Sequence, residues 1–336
     1  MSRARLEELG IVLPVMPTTS VGSLPRTEAL AQTLRRSAPL KPPREEILKA
    51  EQEATAFWIK KQEEIGLDIL VDGEQMSGDR LSEVTLALGG FEHGGLVRLY
   101  ANRYARRPII ISAILWKGPV SVERWAFAQS LTSKPVKAIL PGPCTIADWA
   151  FSDYYPDAAS ACKSLAEALR SEIDSLISSG ARIIQIDEPA LSYRPKMLPI
   201  AADVFERMTR DQNAYFITHI CMGRFDALYP DVLRLPVHQI DLEAAHGRTD
   251  ALAVLRREAA TMDLGIGVID VQNRRVEEFR NIKDRIRRAT ALAPLDAIWI
   301  DPDCGLKSRT VDEAVAKLRV MVDAVHSVRE NAASRS

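Results

Sequence analysis

The chain has 336 residues but only four cysteines, few aromatic residues and a formal net charge of −1. Four cysteines in a chain of this length are too few for a disulfide framework, so their thiols are expected to be reduced, as in the cytoplasm. The nearly balanced charge argues against a general binder of nucleic acid or of anionic membranes. No apolar run reaches the roughly 18 residues of a membrane-spanning helix, and residues 1–16 hold no apolar core of signal-peptide length.

Short runs rich in Ile, Val and Leu alternate with longer amphipathic stretches. Eight runs are predicted to be strands: 17–21, 68–71, 136–140, 181–186, 214–218, 237–242, 264–269 and 297–300. Most are continuously apolar, which is typical of parallel strands covered on both faces. Helical periodicity predicts helices at 44–65, 157–179, 249–262, 275–291 and 310–329.

Eight strand–helix units predict an α/β protein, a single-domain (β/α)8 TIM barrel spanning residues 1–336. Three regions fall outside this alternation. Residues 1–16 are predicted to form an N-terminal arm, residues 96–115 an inserted hairpin, and residues 330–336 a frayed tail.

Polar side chains follow several of the predicted strands, at the ends where such barrels carry their active sites. Ser23 follows the first strand, Glu74 the second and Asp187 the fourth. Asp270 follows the seventh. Strand ends are often polar because strands give way to loops there, so this pattern alone does not define a site.

Four residues on the same rim have side chains that can bind zinc, namely His219, Cys221, Glu243 and Cys304. His219 and Cys221 are two residues apart, so on an extended segment they point the same way. Taken singly, each has an ordinary explanation, since a free cysteine is commonly a small buried residue and a loop glutamate is commonly solvated. Together, two sulfurs, an imidazole and a carboxylate would complete a tetrahedral zinc shell.

Seven segments carry a family resemblance: TTSVGSLP (18–25), VDGE (71–74), QSLT (129–132), GPCTI (142–146), IQIDEPAL (184–191), THIC (218–221) and DPDCGLK (301–307). In this order they resemble the C-terminal catalytic barrel of the cobalamin-independent methionine synthase family, over roughly residues 17–325. The resemblance implies a zinc-dependent methyltransferase of methionine biosynthesis that methylates homocysteine. It also implies that His219, Cys221, Glu243 and Cys304 are the zinc ligands.

The resemblance further assigns Ser23, Glu74 and Asp187 to the amino-acid end of homocysteine. This assignment is chemically reasonable, because the two acids can accept hydrogen bonds from the ammonium group and Ser23 can donate one to the carboxylate. Trp149 matches an aromatic residue that stacks on the pterin ring of the methyl donor. It is equally well explained as an ordinary half-buried loop tryptophan.

The chain departs from the family in two ways. The family's enzymes are normally double barrels, whereas this chain has one, the single-barrel core form. Gln272 stands where the family has a histidine that protonates the leaving folate nitrogen, and glutamine cannot supply a proton. Asp270 is the nearest acid that could compensate. The expected methyl donor is therefore a methyl-corrinoid protein, whose leaving group needs no proton, rather than methyltetrahydrofolate.

Two other functions stay open from the sequence. A zinc-dependent alkyltransferase acting on a coenzyme M-like thiol would use the same metal site, but a sulfonate substrate is poorly matched to Glu74 and Asp187. A metal-free barrel of the uroporphyrinogen decarboxylase kind, or a binding protein without chemistry, would leave the zinc-ligand set unexplained.

Overall fold

The structure is a computed structural model that describes residues 2–36, 43–78, 80–98, 104–221, 223–246, 250–257 and 260–334. Its helices, α1 to α12 in chain order, are Ser2–Glu8, Glu28–Arg35, Arg44–Ile65, Arg80–Ala87, Val122–Ser130, Pro143–Trp149, Ala158–Ser178, Pro189–Tyr193, Leu198–Thr209, Ala251–Leu255, Phe279–Ala289 and Val311–Ala333. Its strands, β1 to β9, are Gly89–Arg98, Tyr104–Leu115, Ala138–Pro141, Phe151–Ser152, Ile183–Asp187, Tyr215–Ile220, Gln239–Glu243, Asp263–Ile269 and Ile298–Pro302. Short 3-10 turns lie at Pro195–Met197, Phe225–Ala227, Asp231–Arg234 and Leu295–Ala297.

Eight parallel segments close into a barrel. Six of them form a regular sheet in the order β3–β5–β6–β7–β8–β9. The first two predicted strands are not regular strands, yet their backbones complete the ring. Thr18 bridges to Ile300 of β9, and Leu70 bridges to Val136 before β3. The N–H of Ile69 donates to Thr18 O at 3.1 Å, which joins the two segments to each other. The predicted (β/α)8 barrel is confirmed.

The barrel strands are buried on both faces, as their continuous apolar sequences predict. Every residue of β6 and of β8 is buried. Helix ends coincide with local capping signals. Thr310 and Glu313 form a capping box at the start of α12, and Gly66 ends α3 in the left-handed region with a φ of +93°. The Asp157 side chain caps α7 by accepting a hydrogen bond from Ser160 N at 2.7 Å.

The N-terminal arm covers the amino-terminal end of the barrel. Leu6 of α1 is buried against a cluster of residues at the start of the strands, including Ile69 and Ile183. In the same cluster the rings of Tyr215 and Trp299 stack with centroids 5.3 Å apart. Because these residues close the amino-terminal end of the barrel, an active site is expected at the opposite, carboxyl-terminal end of the strands.

The inserted hairpin is present but begins earlier than the sequence suggested. Strands β1 and β2 pair antiparallel, and β2 also pairs with the short β4. Glycine weakens strand propensity, so the sequence pattern did not predict the first half of β1 as a strand. Gly90 shows why a glycine is needed, because its φ is +88° and an added Cβ would lie 2.5 Å from Ala113 O. Residues 99–103 lie outside the described residues.

Three predicted helix boundaries need correction. The helix predicted at 249–262 is the short α10, Ala251–Leu255, and residues 249, 258 and 259 lie outside the described residues. The helix predicted at 275–291 is α11, Phe279–Ala289. Helix α12 runs four residues past the predicted limit of 329, so much of the predicted frayed tail is helical. Across the described part of the chain, helices that combine enough length and apolarity to cross a bilayer are absent.

Candidate active site and metal centre

A histidine and two cysteines meet at the carboxyl end of the barrel. His219 lies near the end of β6, Cys221 follows that strand directly, and Cys304 follows β9. One potential ligand atom from each lies within 4.8 Å of the other two. The Sγ atoms of Cys221 and Cys304 are 3.8 Å apart. Three of the four residues predicted to bind metal are therefore brought together.

The imidazole of His219 is oriented by a neighbouring strand. Its Nδ1 lies 3.0 Å from Oδ2 of Asp241, the residue paired with it on β7. Because a carboxylate accepts the Nδ1 proton, the neutral imidazole, which is the form that binds a metal, has its lone pair on Nε2. Nε2 is buried and has no hydrogen-bond partner among the described residues. An unpartnered buried nitrogen beside two sulfurs fits a metal ligand.

The electrostatics of the cluster also favour a bound cation. The pKa of the Cys221 thiol is raised well above its usual value by the hydrogen bond with Cys304, by burial, and by the charges of Cys304, Glu243 and Asp187. Without a cation the Cys221 thiol is therefore favoured over its thiolate. Two thiolates on one tetrahedral zinc lie about 3.8 Å apart when each Zn–S bond is about 2.3 Å, which matches the observed Sγ separation. The three side chains can hold a metal ion.

Glu243, the fourth predicted ligand, ends β7 and is half-buried. Its carboxylate is not among the three groups that lie within 4.8 Å of one another. It is nevertheless close enough for its charge to raise the pKa of Cys221. Glu243 as a ligand therefore stays a prediction.

Asp303 holds the two loops that carry Glu243 and Cys304 against each other. Its carboxylate accepts hydrogen bonds from the backbone N–H groups of residues 244–246 at 3.0, 2.9 and 2.6 Å. Burial raises the pKa of Asp303 well above its usual value. Gly267 permits this contact, because an added Cβ would lie 2.4 Å from Asp303 Oδ1. One buried side chain thus links the segment after β7 to the segment after β9.

A cavity of about 110 Å³ adjoins the cysteines and the histidine. All four residues predicted to bind substrate or donor line it: Ser23, Glu74, Trp149 and Asp187. Ser23 lies against the Cys304 loop, where an added Cβ on Gly305 would be 2.0 Å from Ser23 Oγ. Only glycine allows this approach. The predicted substrate residues and the cysteine–histidine cluster therefore share one site.

The cavity also contains two cations that the sequence analysis missed. Arg80 is buried, with Nη2 3.2 Å from Asp72 Oδ1 and Nε 3.4 Å from Glu74 Oε1. Lys307 Nζ lies 3.6 Å from Glu74 Oε2. Lys307 ends the DPDCGLK segment, whereas nothing in the sequence around Arg80 pointed to the site. The charge of Glu74 is therefore already shared by two cations.

Within the described ranges, Asp187 forms no ion pair with a lysine or arginine. Its Oδ1 accepts a hydrogen bond from Gln185 Nε2 at 2.6 Å. Burial raises the pKa of Asp187 to about 6. A buried carboxylate in this state is a strong acceptor for a ligand's ammonium group.

Asp270 and Gln272 lie on the rim beyond the residues that line this cavity. Gln272 is exposed, and its N–H donates to Asp270 Oδ1 at 2.8 Å. The other carboxylate oxygen of Asp270 lies 3.1 Å from His246 Nδ1. From the sequence, His246 is expected near the rim as a surface residue, and its side chain is exposed. Roles for Asp270 and Gln272 in catalysis stay predictions.

The Asp241 contact leads to a testable expectation. Replacing Asp241 with asparagine is expected to weaken metal binding about 10- to 100-fold, because His219 loses the acceptor that fixes its tautomer. Competition between the protein and a chromogenic chelator for Zn²⁺ measures the affinity. Asp263→Asn is the matched control, since Asp263 is a buried acid that accepts a hydrogen bond from Tyr215 at 2.7 Å at the opposite end of the barrel. Equal Zn²⁺ affinity in Asp241→Asn and wild type would contradict the expectation.

The fold and the cavity define a (β/α)8 barrel with a histidine–cysteine cluster that can hold a metal ion beside a charged pocket, on the rim where such barrels carry active sites. The chain belongs to the cobalamin-independent synthase family, whose catalytic-domain model matches residues 16–327. It is 32% identical over 319 residues to the methionine synthase of Saccharolobus solfataricus, covering 95% of this chain and 96% of that protein. Members of this family that resemble the chain are named as methyltransferases.

One such relative is longer. The chain is 33% identical over 341 residues to the 5-methyltetrahydropteroyltriglutamate–homocysteine methyltransferase of Corynebacterium glutamicum, covering 98% of this chain but 46% of the relative. The chain thus spans less than half of that protein. Among solved structures, a B12-independent methionine synthase from Shewanella sp. W3-18-1 in complex with selenomethionine superposes with a TM-score of 0.84 at 23% identity. The superposition covers 96% of this chain and 100% of that one, and it shows the same fold.

Proposed function

We propose that the chain is a zinc-dependent S-methyltransferase that converts homocysteine to methionine. The observation that carries the proposal is the convergence of His219, Cys221 and Cys304 on the cavity that Glu74 and Asp187 also line. A thiol-activating cluster and a pair of acids for an ammonium group are the two features that a thiol amino acid requires. The names of the relatives support the same assignment.

The metal-binding residues in this proposal are His219, Cys221, Cys304 and Glu243. When bound, a zinc ion with two thiolate ligands would lower the pKa of an incoming thiol and keep it as a nucleophilic thiolate at neutral pH. Glu243 would be the ligand that gives way to the incoming thiol, since its carboxylate lies outside the three groups that come within 4.8 Å of one another. Reduced cysteines, as in the cytoplasm, are a requirement of this chemistry.

The rest of the cavity orients the amino acid. Asp187 and Glu74 accept hydrogen bonds from the ammonium group, while Ser23, Arg80 and Lys307 face the carboxylate. Fixing the amino-acid end in this way directs the sulfur of homocysteine toward the two cysteines. Because methyl transfer requires an in-line approach, this positioning supplies much of the rate.

The methyl donor must reach the sulfur from the open side of the cavity. A space of about 110 Å³ suits a small amino acid and leaves the donor at the rim. Trp149, which lines the cavity, is assigned to the donor side in this proposal. Gln272 cannot protonate a leaving amine, so we propose a methyl-corrinoid protein as the donor rather than methyltetrahydrofolate.

The test is a methionine-formation assay with the zinc-loaded protein, homocysteine and a panel of donors. We expect turnover with methylcobalamin and none with methyltetrahydrofolate as the sole donor. Robust turnover with methyltetrahydrofolate would refute the donor assignment and would direct attention to the His246–Asp270 pair as the proton source. Absence of methionine with every donor, above the rate without protein, would contradict the function itself.

A further inference from the structure

The carboxylate of Glu188 is buried against the first turn of α6, outside the set of residues that line the cavity. Glu188 directly follows β5 and is fully buried. Its Oε1 accepts a hydrogen bond from Cys144 N at 2.9 Å. Its Oε2 accepts hydrogen bonds from both Thr145 N and Thr145 Oγ1, each at 2.7 Å. One side chain thus satisfies three donors in the first turn of α6.

These hydrogen bonds join two neighbouring elements that both contribute to the cavity. Helix α6 carries Thr145 and Trp149, and β5 ends at Asp187; all three residues line the cavity. Gly142, just before α6, donates its N–H to Asp187 O at 2.8 Å. An added Cβ on Gly142 would lie 2.2 Å from the carboxyl carbon of Glu188. The backbone just before α6 therefore packs directly against this carboxylate.

We propose that Glu188 is a positioning residue that fixes Trp149, the donor-side wall, relative to Asp187, the homocysteine-side wall. It does not touch substrate; it acts by holding α6 to β5. The inference rests on the proposed function for the identity of the two walls. A carboxylate is needed because all three partners are donors, and a glutamine at this position would direct an N–H group at one of them.

A second carboxylate in the same protein provides a matched control. Glu172 of α7 is also buried and also accepts hydrogen bonds from two backbone amides and one side chain. The donors are Val120 N, Ser121 N at 2.6 Å and Trp116 Nε1 at 3.0 Å. Glu172 is not among the residues that line the cavity. Glu172→Gln therefore makes the same chemical change away from the site.

The first experiment compares Glu188→Gln with Glu172→Gln in the zinc-loaded protein, with homocysteine and methylcobalamin. Both variants are expected to lower the melting temperature. Only Glu188→Gln is expected to raise the KM for methylcobalamin, by about tenfold or more, with zinc content retained and the KM for homocysteine changed by less than about threefold. An unchanged KM for methylcobalamin in Glu188→Gln, or an equal rise in both variants, would overturn the proposal.

A double variant tests whether Glu188 acts through the tryptophan. If it does, Glu188→Gln adds little to the KM for methylcobalamin when Trp149 is already alanine. Additive effects of the two substitutions would contradict a positioning role. Thr145→Val removes one of the three hydrogen bonds and is the milder variant should Glu188→Gln fail to fold. It is expected to shift the same KM in the same direction by a smaller factor.

Amide hydrogen exchange separates this inference from the proposed function. In Glu188→Gln one of the two carboxylate oxygens that accept from Cys144 N and Thr145 N becomes an NH2 group. The first turn of α6 is then held less firmly, so exchange at residues 144 and 145 is expected to be faster, while Val120 and Ser121 stay protected. Glu172→Gln is expected to give the reverse pattern. If wild type forms no methionine, the proposed function fails but this readout still tests the contact. Unchanged exchange at residues 144 and 145 would overturn the inference whatever the activity.

Discussion

Replacing Cys304 with serine is expected to remove the bound metal and to lower methionine formation by at least about 1000-fold, equivalent to about 4 kcal/mol of transition-state stabilisation. A serine hydroxyl does not ionise near neutral pH and is a poor ligand for zinc, so the site loses one of two thiolates. With the metal absent, the incoming thiol is mostly protonated and nearly unreactive. Metal analysis of the purified protein and an assay with excess methyl donor measure both effects.

Cys162→Ala is the control for this experiment. Cys162 is buried in α7, with its Sγ 3.7 Å from Pro143 O, and does not belong to the cysteine–histidine cluster. It should keep its zinc and most of its activity, with only a modest loss of stability. A Cys304→Ser protein that retained both zinc and activity would contradict the metal assignment.

Replacing Asp187 with asparagine is expected to raise the KM for homocysteine about 10- to 100-fold while leaving the zinc content unchanged. The substitution removes a charge-assisted hydrogen bond to the ammonium group, which contributes about 1.5–3 kcal/mol. Glu74→Gln is expected to have a smaller effect, because Arg80 and Lys307 already share the charge of Glu74. Steady-state kinetics with homocysteine as the varied substrate measures the contrast.

Thiols without an ammonium group provide the control for Asp187. Coenzyme M or 3-mercaptopropionate should be a poor substrate of wild type, and Asp187→Asn should leave its KM unchanged or lower it. Preference for coenzyme M over homocysteine in wild type would instead favour the alternative thiol that the sequence left open. An equal rise in KM for both thiols in Asp187→Asn would mean that Asp187 does not bind the ammonium group.

The raised pKa of Asp187 predicts a pH dependence with a definite sign. Burial raises this pKa from 3.8 to about 6 in the substrate-free protein, so the carboxylate is ionised above that pH and protonated below it. Only the ionised form attracts the ammonium group. The KM for homocysteine should therefore rise as the pH falls through about 6, and Asp187→Asn should lack this component. Identical pH profiles for the two proteins between pH 5 and 7, a range of about one pKa unit on either side, would contradict the role.

The sequence predicted the barrel well because its strands are continuously apolar and its helices carry strong local signals. Helix α3 was predicted at 44–65 and is found there, between a proline-containing start and Gly66. The hairpin was harder to predict, because β1 is rich in glycine and its strand conformation depends on pairing with β2. Its first half depends on tertiary contacts, which local sequence patterns do not encode.

The site was predictable where the chemistry is carried by the strand ends themselves. His219, Cys221 and Cys304 combine unusual residue types with positions on one rim, and the structure brings them together. The supporting residues were not identified in this way. Asp241 lies inside an apolar run, where a charged residue is itself a signal of a buried interaction. Arg80 gave no comparable signal, because its position in the cavity depends on how α4 packs against the barrel.

The most direct test of the central claim is X-ray absorption at the zinc edge of protein purified without chelators. We predict one zinc per chain with two sulfur ligands at about 2.3 Å, contributed by Cys221 and Cys304. Addition of homocysteine should raise the number of sulfur ligands from two to three. Protein without metal, or a zinc environment without sulfur that homocysteine leaves unchanged, would contradict it.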